Sequence, residues 1–250
     1  MLKFILLGAG LVIGCMLPGG GLKPVGAWNF EKVTGQVVKS CSGPDGRIIN
    51  PGKNARLVPG RSGGKALYIG GGWEKEDRKK VGALVIPQFA PRADQPFTIV
   101  FDCKLDADPG NKNFRKFKTL VEAANSERGP GFRVYIFYGA MQFRTGDGKK
   151  NMQHVSAGSA AVRIPNDCWV RIAVTYTGQT ASLYMNGARI AHGPMKIIPG
   201  TQKNLIFGSY RGGFANPATA AYDNIAFYDY ALSDGEVAAD YLEILKKDHQ

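Results

Sequence analysis

The sequence is poor in acidic residues and in histidine. Its 250 residues include 20 Asp and Glu against 32 Lys and Arg, and only three His. Hydrolysis of a glycosidic bond uses two carboxylates, which on one strand face means acids at every second position. The nearest segment, residues 74–80 (EKEDRKK), lacks apolar alternation and is typical of a solvated loop. We therefore predict that the protein is not an enzyme. The alternative is a glycoside hydrolase, or a polysaccharide lyase with His154 as its base.

Long apolar runs are also missing. None reaches the roughly 20 residues that a membrane-spanning helix needs, and residues 4–13 (FILLGAGLVI) are typical of a signal peptide. Two cleavage sites compete: residues 12–15 (VIGC), favoured here, resemble a bacterial lipobox that would lipidate Cys15, and residues 25–27 (VGA) resemble an ordinary peptidase site. We predict a signal peptide and short tether over residues 1–27 and one domain over residues 28–250. The protein is then exported, and either lipid-anchored at the bacterial cell envelope or secreted.

Cysteine is scarce, with four residues whose spacing matches no zinc motif. Export permits a disulfide among the three that follow the signal segment, and their pairing stays open. Cys103 lies in the apolar run FTIVFDCKL and is predicted to be a buried thiol. Cys41–Cys168 is therefore the pair that we favour for any bridge.

Glycine and proline are abundant, with 33 and 14 residues, and they separate many short apolar segments. In Trp169–Tyr176 (WVRIAVTY) apolar residues alternate with others, as expected of a half-buried strand. Asn186-Gly187 follows, between two such segments, and predicts a tight hairpin turn. Near the end, Ser233 and Glu236 form a capping-box pattern before an apolar helical repeat of Val237, Ala238, Tyr241, Leu242 and Leu245. Many strands with one late helix predict an all-β, antiparallel two-sheet sandwich with a short C-terminal helix.

Four blocks in order carry a family resemblance: WNFEKVTGQVVKSCSG, FTIVFDCKLDA, CWVRIAVTYTGQTASLYMNGARIAHG and AAYDNIAFYDYALSDGEVAADY. Together they resemble laminin G-like domains of the concanavalin A-like lectin/glucanase superfamily. The resemblance implies a jelly-roll whose concave face and rim loops commonly hold sugars. It also implies a structural calcium site, with Asp223 near the last strand and Glu31 near the first as ligands.

Candidate ligand-binding residues lie on one predicted strand and one loop. In Gly131–Tyr138, Phe132, Val134, Ile136 and Tyr138 share one face, and Arg133, Tyr135 and Phe137 share the other. If the first face is core, the second presents rings and a guanidinium to a ligand, unless a loop covers it. Tyr210 and Arg211 are predicted at the rim, in a Gly-rich loop before the final strand.

The net charge of +12 favours polyanions or simply aids solubility. A basic run with interleaved aromatics could grip an anionic polymer or be solvated: Lys112, Phe114, Arg115, Lys116, Phe117 and Lys118. Because export leaves little contact with nucleic acid, we predict a glycan or cell-surface polysaccharide, including anionic ones, as partner. The prediction is an exported, non-catalytic carbohydrate-binding or surface-adhesion module. A protein-binding adhesion or assembly domain is a further alternative.

Overall fold

The computed structural model describes residues 23–71, 80–107, 117–126, 128–158 and 163–248. In these residues the chain forms strands up to Tyr228 and then one helix, as predicted. The elements are β1 (Gly26–Trp28), β2 (Val33–Thr34), β3 (Val37–Val38), β4 (Gly46–Ile49), β5 (Ala55–Pro59), β6 (Lys65–Ile69), β7 (Ala83–Ile86), β8 (Phe97–Leu105), β9 (Phe117–Ala124), β10 (Gly131–Phe137), β11 (Ala140–Gly146), β12 (Met152–Ser156), β13 (Trp169–Tyr176), β14 (Thr180–Met185), β15 (Ala188–Pro194), β16 (Leu205–Phe207), β17 (Ala220–Tyr228) and α1 (Asp234–Asp248).

The strands form two antiparallel sheets. The eight-stranded sheet has the order β15-β14-β13-β8-β17-β6-β5, and β1 also pairs with β17. The nine-stranded sheet has the order β12-β11-β10-β9-β16-β7-β4-β3-β2. Neighbours in space are often distant in sequence, because the chain crosses repeatedly between the sheets. This arrangement confirms the predicted two-sheet sandwich.

Alternating side chains of both sheets fill the space between them. Phe97 of β8 lies 5.2 Å from the Phe132 ring of β10 and 5.4 Å from the Tyr176 ring of β13, between ring centroids. Its contacts therefore join the two sheets. Burying one such large apolar side chain stabilises the fold by about 1.5–3 kcal/mol.

The predicted Asn-Gly turn joins β14 to β15. Asn186 and Gly187 have φ angles of 51° and 78°, the left-handed values that a type I′ turn requires. The Asn186 side-chain oxygen also accepts the Arg171 backbone N–H at 2.9 Å, which ties the turn to β13. The turn is a structural element of the eight-stranded sheet.

Helix α1 packs on the face of the eight-stranded sheet that points away from the core. Its predicted capping box is present: Glu236 Oε2 accepts the Ser233 backbone N–H at 2.8 Å, and Ser233 Oγ accepts the Glu236 backbone N–H at 3.3 Å. The buried helix residues are Val237, Asp240 and Ile244. The predicted apolar stripe was therefore wrong in part, since Leu242 is 55% exposed and a carboxylate takes an inner position.

An ion pair explains the buried carboxylate of α1. Arg171 on β13 donates from Nε and Nη2 to the two oxygens of Asp240, at 2.8 and 3.0 Å. Arg171 Nη1 donates to the Asn224 backbone oxygen at 2.6 Å and lies 3.5 Å from Asp102 Oδ1. Both partners of the Arg171–Asp240 pair are almost fully buried, so this pair fixes the helix on the sheet.

The cysteine pairing differs from the favoured one. Cys103 and Cys168 are both free thiols. The Cys41–Cys168 bridge is therefore wrong, and the burial of the Cys103 thiol is confirmed.

Strand register explains why Cys41 and Cys168 do not meet. Cys168 directly precedes Trp169 of β13, which corresponds in level, through Lys104 of β8, to Ala221 of β17. Cys41 hydrogen-bonds to β1 at the level of Ala226 of β17. At about 3.3 Å per residue the two levels lie about 16 Å apart along β17. A disulfide needs Cα atoms within about 7 Å.

Several sequence predictions lie outside the described residues. They are the signal segment with Cys15, most of the charged run 74–80, and residues 112–116 of the basic run. Among the described residues, no helix is long and apolar enough to cross a membrane.

Candidate functional site

The five predicted ligand-binding residues lie on or beside one face of the nine-stranded sheet. Phe132, Val134 and Ile136 of β10 belong to the core between the sheets. Arg133, Tyr135 and Phe137 alternate with them, so they lie on the opposite side, which we call the outer face. Tyr210 and Arg211 belong to the loop between β16 and β17, and they reach this outer face.

A buried ion pair lies near the centre of the outer face. Arg133 Nε donates to Glu122 Oε2 of β9 at 2.7 Å, and Arg133 is 3% exposed. Glu122 Oε1 accepts the Arg211 backbone N–H at 2.6 Å. Glu122 was missed by the sequence analysis, although an acid in the otherwise apolar run TLVEAA was a signal that could have found it. It joins β9, β10 and the loop.

Tyr210 covers the Arg133 guanidinium. The guanidinium carbon lies 4.4 Å from the Tyr210 ring centroid, within the range of a cation–π contact. The Arg211 guanidinium carbon lies 5.2 Å from the same centroid, and its side chain is exposed. The loop between β16 and β17 therefore covers Arg133. Phe214, edge-on to Tyr210, is 52% exposed.

Four aromatic residues continue along the outer face, and we call them the aromatic row: Tyr135, Phe117, Phe137 and Tyr138. Stacked rings join Phe117 to Phe137 at 4.6 Å and to Tyr135 at 5.9 Å, between centroids. Tyr135 itself is buried, and Arg144 of β11 lies 4.8 Å from its ring. Phe137 contacts Tyr138 at 4.5 Å.

Tyr138 was predicted on the core side and lies elsewhere. Its φ of 47° turns the chain between β10 and β11, and its side chain is 60% exposed. The strand alternation ends at Phe137, because a left-handed residue breaks the extended backbone. Tyr138 is thus an exposed ring at the end of the aromatic row.

The strands of the nine-stranded sheet, as the structure describes them, contain one carboxylate and four basic residues. The carboxylate is Glu122, and the basic residues are Arg47, Lys118, Arg133 and Arg144. Arg133 and Arg144 are direct cross-strand partners. The outer face combines aromatic rings with positive charge around a single, already paired, carboxylate.

The two predicted calcium ligands both hold the turn between β5 and β6. Asp223 Oδ2 accepts the Arg61 backbone N–H at 3.1 Å, and Asp223 Oδ1 accepts that of Asn224 at 2.7 Å. Glu31 Oε1 accepts the Lys65 backbone N–H at 2.7 Å. Burial raises the pKa of Asp223 to about 7, and the nearby charges of Asp102 and Glu31 act in the same direction.

These contacts fit a calcium ion poorly. Three of the four carboxylate oxygens of Asp223 and Glu31 already accept backbone N–H groups, and calcium needs six to eight oxygen ligands. Within the described residues, no group of three or more His, Cys, Asp or Glu is placed to hold a metal. The direct role of Glu31 and Asp223 is to anchor the turn.

The fold is a lectin-like two-sheet β-sandwich, and the sequence comparison gives the family. A laminin G-type family model, described as the Concanavalin A-like lectin/glucanases superfamily, matches residues 78–238, more than half of the chain. The chain belongs to this superfamily, which confirms the predicted resemblance. No curated protein matches the chain.

Many solved structures share the fold. The botulinum neurotoxin serotype G binding domain has a TM-score of 0.65 at 12% identity, covering 88% of this chain and 51% of that one. The binding domain of Paraclostridial Mosquitocidal Protein 1 has a TM-score of 0.65 at 18% identity, covering 87% of this chain and 51% of that one. The botulinum neurotoxin serotype D ligand-binding domain, solved in complex with N-acetylneuraminic acid, has a TM-score of 0.63 at 13% identity, covering 88% of this chain and 50% of that one. This chain spans about half of each, and the likeness shows the fold alone.

Proposed function

We propose that this protein is an exported, non-catalytic binding module that holds a glycan on the outer face of its nine-stranded sheet. The observation that carries the proposal is the aromatic row beside arginines on that face. Aromatic rings stack on the apolar faces of sugars, and guanidinium groups hydrogen-bond to hydroxyl and carboxylate oxygens. Tyr138 and Phe214, the most exposed rings, offer the stacking surfaces.

The residues around Glu122 on the outer face favour an anionic glycan. Arg133 and Arg211 both hydrogen-bond to Glu122, the single carboxylate of the described strands of this sheet, and Arg144 is the cross-strand partner of Arg133. The chain as a whole carries +12, which adds a long-range attraction for acidic polymers. One protein of the same fold, the serotype D domain, is solved with the acidic sugar N-acetylneuraminic acid.

The carboxylate count argues against glycoside hydrolysis. A retaining hydrolase places two carboxyl groups about 5–5.5 Å apart and an inverting one about 6.5–9.5 Å apart. The described strands of the nine-stranded sheet supply Glu122 alone, and its two oxygens are engaged by Arg133 and Arg211. Because both oxygens are engaged and buried, this carboxylate is not free to attack a sugar or to orient a water for attack.

A glycan array on the purified protein tests the proposal. We expect binding to a defined set of sugars, weakened at least tenfold by Tyr138→Ala or Phe214→Ala, because a lost stacking contact is worth about 1–3 kcal/mol by analogy with base stacking. Leu242→Ala is the matched control, since Leu242 is equally exposed but lies on α1. A protein that binds no sugar on the array would remove the proposal.

Export and anchoring belong to the proposal and have their own test. Lipidation at Cys15 would place the protein in the membrane fraction of the producing bacterium, and Cys15→Ser would release it. If the wild type and Cys15→Ser are found in the same cell fraction, the lipid anchor is refuted, and the proposed binding function is unaffected. The calcium prediction has a similar test: a melting temperature that a chelator leaves unchanged counts against a structural ion.

A polysaccharide lyase is the second candidate, favoured by one arrangement. Exposed His154 of β12 pairs across the strands with Arg144, and Tyr135 donates a hydrogen bond to Gln142 on the same face. A base, a phenol and a group that neutralises a uronate are the parts that β-elimination needs. Incubation with polyuronates, followed by ultraviolet absorbance for the unsaturated product, distinguishes this lyase from a binding module.

A further inference from the structure

The guanidinium of Arg133 lacks one hydrogen-bond acceptor. Its Nε donates to Glu122, whereas its Nη2 is buried and has no partner. In the described part of the chain, the Tyr228 hydroxyl is the only other buried side-chain nitrogen or oxygen without a hydrogen-bond partner. An unpaired buried donor costs about 1–3 kcal/mol, and more on a charged group. A ligand that supplies an acceptor at Nη2 would recover this energy.

The neighbouring charges determine what kind of acceptor fits. Arg133 and Arg144 lie directly opposite each other on β10 and β11, and like charges in that position destabilise a sheet. Arg211 adds a third guanidinium next to Tyr210. An anionic acceptor would bring the cluster closer to neutrality, and a neutral hydroxyl would not.

Tyr210 packs over the Arg133 guanidinium and is itself 8% exposed, and the residue that follows it, Arg211, is held in a costly backbone conformation. Arg211, Gly212 and Gly213 have consecutive φ angles of 51°, 65° and 106°. For Arg211 the left-handed conformation costs about 1–2 kcal/mol. Two hydrogen bonds from Arg211 tie this turn to the sheet region: its backbone N–H to Glu122, and its Nη2 to the Asn125 backbone oxygen at 2.9 Å. The Tyr210 backbone is also bonded to Ala215 and Phe214, but none of these bonds uses the Tyr210 side chain, so the ring can rotate aside while they stay in place.

We infer that Arg133 Nη2 and the Arg211 guanidinium form a carboxylate-binding subsite for an acidic sugar, with Tyr210 as its movable cover. This inference rests on the proposed glycan-binding function and names its ligand class, sugars with a carboxylate such as uronic and sialic acids. The carboxylate accepts hydrogen bonds from both arginines, and the Tyr210 ring then packs against the sugar.

Three variants separate the subsite from the fold. Arg211→Ala removes an exposed guanidinium but keeps the backbone N–H that Glu122 accepts. Arg133→Lys keeps a cation beside Glu122 and removes Nη2. Tyr210→Ala removes the cover. Arg92→Ala, at another exposed arginine, is the control, and melting temperatures confirm that each variant is folded.

Paired ligands make the test specific. We compare oligogalacturonate with its methyl ester, and sialyllactose with lactose, by calorimetry at one fixed salt concentration. The inference expects the acids to bind and the neutral partners to bind at least tenfold more weakly. Arg211→Ala and Arg133→Lys should each weaken acid binding about 10- to 100-fold, as for a lost hydrogen bond to a charged group. Tyr210→Ala should speed association.

The outcomes distinguish the inference from the function on which it rests. Equal binding of acids and neutral partners overturns the carboxylate subsite and leaves the glycan-binding module standing. Acid binding that neither arginine variant weakens also overturns the subsite, and a buried water is then the acceptor for Nη2. If no sugar of either kind binds, the proposed function itself falls.

Discussion

Asp240→Ala tests whether the buried ion pair holds α1 on the eight-stranded sheet. The wild-type carboxylate receives two hydrogen bonds from Arg171, and both groups are almost fully excluded from water. Removing one partner of a buried pair costs about 3–5 kcal/mol, because the other charge stays buried without compensation. Asp102, 3.5 Å from Arg171, still offers part of that compensation. We therefore expect a loss of about 3 kcal/mol in the free energy of unfolding.

Urea unfolding measures this loss, followed by tryptophan fluorescence for the sandwich and by circular dichroism for the helix. At about 2–4 °C per kcal/mol for a chain of this size, the melting temperature should fall by about 6–12 °C. The exposed pair of Arg189 and Asp234 is the control, and Arg189→Ala should cost less than about 1 kcal/mol.

A double variant separates charge from packing. Arg171→Met with Asp240→Leu replaces both charges by apolar side chains of similar size. Its stability should return to within about 1–2 kcal/mol of wild type, since well-packed apolar residues can substitute for a buried pair. The reasoning is refuted if Asp240→Ala unfolds like wild type, or if the double variant is less stable than the single one.

Three shorter predictions follow from other buried groups. Burial raises the pKa of Asp223 to about 7 in the folded protein, against about 4 when unfolded, so folding binds a proton between these pH values and the free energy of unfolding should fall as the pH rises from about 4 to about 7. In chelator-treated buffer, Asp223→Asn should flatten that fall. Parallel curves of stability against pH for the wild type and the variant would contradict the prediction. In the native protein, exposed Cys168 should react with a thiol reagent, while burial raises the pKa of the Cys103 thiol and keeps it unreactive until unfolding; labelling of Cys103 in the native state, read by peptide mass spectrometry, would contradict this. Gly187→Ala should cost about 1 kcal/mol by thermal unfolding, because the turn needs a left-handed φ there.

The long strands and the helix cap could be predicted from sequence because their signals are local. Alternation identified Trp169–Tyr176 with the bounds that the structure has, and Asn186-Gly187 identified the turn. The short strands β2 and β3 were not predicted, since two residues cannot show a period of two. Asp240 was missed because helical spacing assigns inner positions to apolar residues, and its partner Arg171 lies 69 positions away.

The candidate site was half predictable for the same reason. Strand alternation placed Arg133 and Tyr135 on one face, and the structure has them there. Glu122 and Arg144 were not recognised, because their contacts depend on the register of β9 and β11 against β10. No pattern within one strand contains that register. Tyr138 was misplaced because one left-handed residue ends the alternation.

The position of α1 gives the molecule two unlike sides. Val237 packs on one sheet face and Asp234 accepts a hydrogen bond from Tyr184 at 2.8 Å, so the helix occupies that face. The rings and arginines lie on the opposite sheet, facing the other way. A linker attached after Asp248 would therefore hold the protein on a sensor chip or a bead with its arginine-rich face outward. Coupling through surface lysines would orient it at random, and a comparison of the two surfaces would reveal which side captures a partner.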